Sequence, residues 1–330
     1  MTAFLDLSES GRRSARGSLL GLARKFRSRF AIDLGQASFA ARGFQPGSEP
    51  VRRRLELIGE TFLAGFNSGL VEDDVEALQR AVSDVAPERR GFAVEGAAMG
   101  AAIADALMLG GDRLNAWMRH NETTYTYLAH VGAGWALART PWRRTAILRG
   151  RDPVHGWLVF DGLGFHDAYF HTNRVLRGWR RTAPGYGARV YDQGLGRALW
   201  FISGGGIEAA IASIARLHPA RQQDLWSGLG LALAYAGGAS ASALSMAVAA
   251  AGRLRANLAQ GAAFAAEAHA RAGYIPPHTH EAATVLSGLN ADDAAALVRT
   301  LRTRLSGVSG ANECPYEQWR RDVQRALVRS

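Results

Sequence analysis

Four polar residues stand where a buried helical face would carry apolar ones. Glu95, Asp161, Gln193 and Gln260 each come immediately before a glycine. Carboxylates and amides in such surroundings are costly unless they are paired or solvated. They either bond to neighbouring helices and fix their register, or they line a groove and hold a ligand. The densest cluster is Asp161-Gly-Leu-Gly-Phe-His166-Asp167-Ala-Tyr-Phe-His171. Asp167 and His171 are four apart, so on a helix they share a face, and a carboxylate-oriented histidine is a candidate general acid or base. Asp161, His166 and His171 are spaced by five, about 140° around a helix, which is poor for shared metal ligation. Asp192 with Arg197 offers a further acid–base pair. His130, close to Tyr125 and Tyr127, is placed to enter the same groove. Each of these polar groups has a plain structural alternative as a buried, mutually satisfied pair. No metal and no cofactor is expected.

The elements that position these residues follow from the glycines. Gly96, Gly132, Gly162, Gly194, Gly228 and Gly261 recur with a period of roughly 33 residues, in the range of helical-hairpin repeats. Most open a Gly-x-Gly or Gly-x-Ala unit, with weaker outer copies at Gly65 and Gly288. Pro87, Pro153, Pro184 and Pro219 each lie about nine or ten residues before a repeat glycine, so they mark helix starts, where proline is tolerated. Glycine within a helix costs about 1 kcal/mol relative to alanine. Six repetitions of that cost point to close approach of neighbouring helices. The phase resembles tetratricopeptide repeats, although polar residues replace the large apolar one expected before the glycine. A dinucleotide-binding reading of Gly-x-Gly is set aside, since that fingerprint follows an apolar strand and occurs once or twice.

The expected fold is therefore all-α: about six tetratricopeptide-like hairpins stacked as a curved α-solenoid over residues 51–310. A basic segment or cap (1–50) precedes it, and a tail or capping helix (311–330) follows. Residues 18–30, basic and amphipathic, either cap the first repeat or dock on an anionic membrane surface or acidic partner. The stretch from Asp224 to Arg253 holds no internal charge, but Gly237-Gly238 at its middle reads as a turn between two packed helices rather than a membrane span.

Composition narrows the chemistry. The 330 residues carry a formal charge of +10, with Lys25 the only lysine, which removes any P-loop and most Schiff-base mechanisms. The arginine excess suits either a GC-rich genome or an anionic partner such as an acidic carrier protein. No nucleic-acid-binding motif is present. Cys314, the one cysteine, cannot form an internal disulfide or a Cys-x-x-Cys pair. The apolar core of a signal peptide is missing near Met1, so a cytoplasmic location is expected.

Six ordered runs, EGAAMG (95–100), HVGAGWALAR (130–139), DGLGFHDAYFH (161–171), DQGLGRALWF (192–201), DLWSGLGLALAYAGG (224–238) and LAQGAAFAAEAHARAG (258–273), resemble the DUF1702 family over roughly residues 50–285. Members of that bacterial family are often encoded in enediyne polyketide gene clusters, where some are called UnbL. The resemblance implies a role in antibiotic-type specialised-metabolite biosynthesis near polyene maturation, and it brings no catalytic residues with it. Three functions are then open. The protein binds an apolar polyene or isoprenoid in its groove, with Trp135, Phe165, Trp200 and Phe264 as aromatic walls and Arg197 beside them. Alternatively, it is a cofactor-independent cyclase or isomerase using Asp161 or Asp192. Third, it is a scaffold for pathway enzymes.

Overall fold

The computed structural model describes residues 21–108, 111–305 and 314–329, and within them every regular element is a helix. The chain runs α1 (Glu49–Val71), α2 (Val75–Ser83), α3 (Pro87–Leu107), α4 (Arg113–His120), α5 (Thr126–Arg139), α6 (Leu158–Phe170), α7 (Gly187–Ile202), α8 (Ile207–Arg216), α9 (Pro219–Tyr235), α10 (Ala241–Ala251), α11 (Arg255–Arg271), α12 (Pro277–Ser287), α13 (Ala291–Arg304) and α14 (Pro315–Arg329). Long helices alternate with shorter ones. Each long helix, α1, α3, α5, α6, α7, α9 and α11, packs against the next.

The glycines explain how. Gly132 of α5 lies on the carbonyl of Glu95 in α3, whereas Gly134 lies on that of Val159 in α6. Gly162 and Gly164 do the same toward α5 and α7, Gly194 and Gly196 toward α6 and α9, and Gly228 and Gly230 toward α7 and α11. Two residues span about 200° of a helix, so a Gly-x-Gly unit presents one bare backbone patch to each flanking helix. The expected close approach is thus present at every crossing. Between α1 and α3 it occurs twice: Gly65 and Gly69 face Ala93 and Ala97, and Gly96 and Gly100 face Phe62 and Phe66. Both sets advance by four, so these two helices run parallel.

With the glycines fixed at the sides, the residue before the first glycine and the residue after the second share the inward face, being i and i+4. The pairs are Glu95/Met99, Val131/Trp135, Asp161/Phe165, Gln193/Arg197 and Gln260/Phe264, and all ten residues are buried. The residue between the glycines lies on the opposite side of its helix from that face.

Several details depart from expectation. Pro87 and Pro219 open helices, but Pro153 and Pro184 sit in the loops before α6 and α7. Gly65 belongs to the pattern, whereas Gly288 ends α12 in the left-handed conformation, at φ 78°. Inward faces also meet across the centre. Phe92 of α3 packs on Tyr235 of α9 at 5.1 Å between rings, and Tyr127 of α5 reaches Glu267 of α11 at 3.3 Å. Arg54 of α1 donates to the Ala236 carbonyl at 2.7 Å. The interior is therefore a filled core containing cavities.

Before α1, residues 21–28 are helical, and Arg27 is fully buried, donating to the Leu70 and Val71 carbonyls and to Asp73. Residues 18–20 of the basic stretch lie outside the described residues. The charge-free stretch forms α9 and α10, joined through Gly237 and Gly238 at φ 70° and 91°. Among the described residues, no helix is long and apolar enough to cross a membrane.

Candidate functional site

A cavity of about 310 Å³ opens between the inward faces of α1, α3, α5, α6 and α7. Its walls are built from i,i+4 pairs, one per helix: Ile58 and Phe62, Glu95 and Met99, Trp135 and Arg139, Phe165 and Tyr169, Arg197 and Phe201. Phe92, Phe170 and the segment from Ile32 to Arg42 complete it. Trp135 is central, with ring centroids 4.5 Å from Phe62 and 5.2 Å from Phe165. Such a space, apolar with a few convergent polar groups, has the form of a small-molecule site.

The convergent groups are Glu95 and Arg197. Trp135 Nε1 donates to Glu95 Oε1 at 2.9 Å, while Oε2 is buried and accepts no hydrogen bond. Arg197 lies 3.7 Å from that second oxygen and donates to Asp161 Oδ1. Gln193 Nε2 donates to the other Asp161 oxygen at 2.7 Å, and Tyr316 donates to Gln193 Oε1 at 3.1 Å. The row before the glycines is thus tied together, with Arg197 as its shared cation. Gln260 belongs to a neighbouring cluster, where its oxygen accepts from Ser227 at 2.9 Å and from Arg320 at 3.2 Å. Arg320, fully buried, also donates to Asp224 and to the Tyr186 hydroxyl.

Burial pushes the Glu95 carboxyl up to about 7; Arg197 and the Trp135 N–H oppose this, and the Asp161 charge adds to it. An unfolded glutamate titrates near 4.5. Between those values the folded chain holds a proton that the unfolded chain has released, so this group's contribution to stability falls as pH rises through the window. Glu95→Gln keeps the acceptor for Trp135 and cannot ionise. Its stability relative to the native protein is expected to improve by about 3 kcal/mol between pH 4.5 and pH 8, read from urea melts. Taking the difference cancels the opposing trend of the buried histidines. A difference that stays level with pH would place the carboxyl at its ordinary value.

The remaining candidates lie elsewhere. His166 accepts from Arg139 Nε at 2.9 Å through Nε2, and its Nδ1 meets Asp167 at 3.3 Å. Burial holds the ring down to about 4, with Asp167 opposing and Arg139 assisting. It is therefore neutral at pH 7 with both nitrogens occupied, and it does not line the cavity. Asp167 pairs with Arg181 at 2.8 Å and accepts from Tyr191 at 3.1 Å, not with His171. His171 ends α6 and stands beside Trp179, because the helix stops before the i+4 side chain can turn back. Asp192 is bound by Arg221 and Arg180 rather than by Arg197, since five residues of helix point the two apart. His130 faces a separate surface cleft with Arg151 and His155, its Nδ1 on the Thr126 carbonyl at 2.7 Å. Trp200 donates to the Gly237 carbonyl at 3.0 Å and secures that turn, and Phe264 packs on Trp319 at 4.4 Å. His278 is half-buried between Arg54 and the Tyr235 carbonyl. Of the proposed ligand contacts, Glu95, Trp135, Phe165 and Arg197 reach the cavity.

Sequence reading missed Phe62, Phe92, Met99, Tyr169, Phe170 and Phe201, as well as Arg42 and Arg139. Four of the eight, Met99, Arg139, Tyr169 and Phe201, lie four residues beyond an inward position already named, so extending that face by one turn would have found them.

The family model described as "Protein of unknown function (DUF1702)" matches residues 21–327, nearly the whole chain. The chain belongs to the DUF1702 family. No curated protein and no solved structure matches it. The DUF1702 match begins in the helix before α1 and extends into α14, so it takes in every wall of the cavity as well as the buried polar network behind it.

Proposed function

We propose that this DUF1702 chain is an accessory protein of specialised metabolism that binds an apolar, polyene-like molecule in the aromatic cavity, in keeping with the role near polyene maturation that its resemblance to the enediyne-associated, UnbL-like members implies. The architecture is read as a tightly wound tetratricopeptide-like solenoid with six glycine-bearing units. The supporting observation is the cavity wall itself: packed aromatic rings around a carboxyl whose second oxygen accepts no hydrogen bond. Polarisable rings favour a conjugated chain over water. Protein purified gently from a producing host is expected to carry such a molecule, detected by mass spectrometry and near-ultraviolet absorbance. It should also bind the fluorescent tetraene methyl parinarate. Met99→Trp, which fills the cavity from α3, should abolish that binding with the helical melt retained. Ligand-free protein that ignores the tetraene would overturn the reading.

One observation favours a second reading. A carboxyl with its pKa near 7 on an apolar cavity wall is poised to give a proton to an alkene or take one from an allylic carbon. Glu95, in place of Asp161 or Asp192, is then the acid–base group. Turnover of a bound polyene that stops in Glu95→Gln, with tetraene binding unchanged, separates catalysis from carriage.

A further inference from the structure

The buried arginines among the described residues, Arg27, Arg197, Arg221 and Arg320, are all paired with carboxylates. Arg181, Arg189 and Arg271 each hold a carboxylate as well. Two that line the cavity do not. Arg42 and Arg139 lie against the same ring, Phe170, with their guanidinium carbons 5.1 Å and 4.6 Å from its centroid. Among the described residues, neither has a carboxylate within ion-pair distance. Arg42 donates to the Gln36 amide oxygen at 2.7 Å, and its Nε is buried without a partner. Arg139 spends its own Nε on neutral His166. The nearby carboxylate on α1, Glu56, accepts from the Phe39 N–H at 2.8 Å and faces Arg52. Burial, and then the charge of Arg42, push the Arg139 guanidinium down. Two like charges on one ring, at the edge of an apolar cavity, repel each other unless an anion comes between them.

Arg42 comes from the segment that crosses the cavity, where it is half-buried, and Arg139 is the last residue of α5, where its guanidinium is partly covered while the residue reaches solvent. The pair therefore marks the solvent end, with Glu95 and Arg197 at the buried end. Guanidinium groups match carboxylate and phosphoryl oxygens geometrically, often through two hydrogen bonds. We propose that the cavity takes an amphiphile: an apolar, unsaturated chain inside, with a terminal carboxylate or phosphoryl group held between Arg42 and Arg139 at the mouth. This rests on the reading above that the cavity binds an apolar molecule, and it adds the head group and the orientation.

The test compares parinaric acid with its methyl ester, followed by tetraene fluorescence. The native protein should bind the acid at least about tenfold more tightly than the ester, and added salt should weaken the acid alone. Arg42→Gln with Arg139→Gln should bring the acid down to the ester's affinity and leave the ester unchanged. A charge-matched control, Arg253→Gln with Arg304→Gln at exposed positions, should keep the preference. Equal binding of acid and ester by the native protein, or a preference that survives in the mouth variant, would overturn the head-group assignment while the cavity reading stands. If neither probe binds, both fall together. Dodecyl phosphate and dodecanoate, used as competitors, then show which of the two head groups is held more tightly.

Discussion

Gly194→Ala is expected to destabilise the protein by about 3 kcal/mol or more, although the same change in an open helix gains about 1 kcal/mol. A Cβ at Gly194 would overlap the Asp161 carbonyl oxygen and press on the carbon behind it. The obstruction is helix backbone, so no rotamer change relieves it. The two helices must separate, and that would pull apart Gln193 and Asp161, whose hydrogen bond lies at the crossing. Gly21, which is helical and has nothing within 4 Å of an added Cβ, supplies the control. Gly21→Ala should be neutral or slightly stabilising. Denaturant melts of the two variants give opposite signs if the crossings are as close as described. A tolerated alanine at 194 would mean that α6 and α7 lie further apart.

The second large effect concerns Arg197. This side chain is buried between two carboxylates from different helices, Asp161 in contact and Glu95 at 3.7 Å. Arg197→Met retains much of the apolar stem and removes the charge. Asp161 then keeps only the amide of Gln193, and Glu95 keeps only the indole N–H of Trp135. Removing one partner of a buried ion pair costs about 3–5 kcal/mol, because the other charge is stranded. The loss should be greatest at pH 8, where Glu95 would otherwise be ionised, and smaller near pH 5. Combining Arg197→Met with Glu95→Gln and Asp161→Asn removes the stranded charges and should recover most of the stability. A triple variant no better than the single one would show that Arg197 acts through packing on Phe165, whose ring its guanidinium covers at 5.1 Å.

Much of this fold was legible because its signal is positional. The glycines recur in phase, and a helix places residues two apart on opposite sides, so sequence spacing alone indicates sandwiched helices. The same phase puts Glu95, Asp161, Gln193 and Gln260 on the inward face with Trp135 and Phe165. Pairing was less legible. Arg197 meets Asp161 across the direct α6–α7 contact, but it reaches Glu95 only because the inward faces of the non-adjacent α3 and α7 come together, which no periodicity records. Asp192 was assigned to Arg197 as a sequence neighbour, yet five residues of helix turn the two apart and bring Asp192 to Arg221. The segment from Ile32 to Arg42 has no repeat phase at all, so the mouth of the cavity could not be foreseen.

The last helix carries a consequence for how the molecule comes into being. Tyr316 and Arg320 of α14 supply hydrogen bonds to Gln193, Asp224 and Gln260, and Trp319 covers Phe264. During synthesis those inner residues leave the ribosome well before α14 does, at about 5–20 residues per second. For several seconds the nascent chain must hold helices whose carboxylate and amides still lack the partners that α14 brings. Gln193, Asp224 and Gln260 gain these partners only once residues 315–320 have emerged. A ribosome stalled ahead of residue 315 would leave a chain with the right helices and an unfinished centre, a natural target for chaperones.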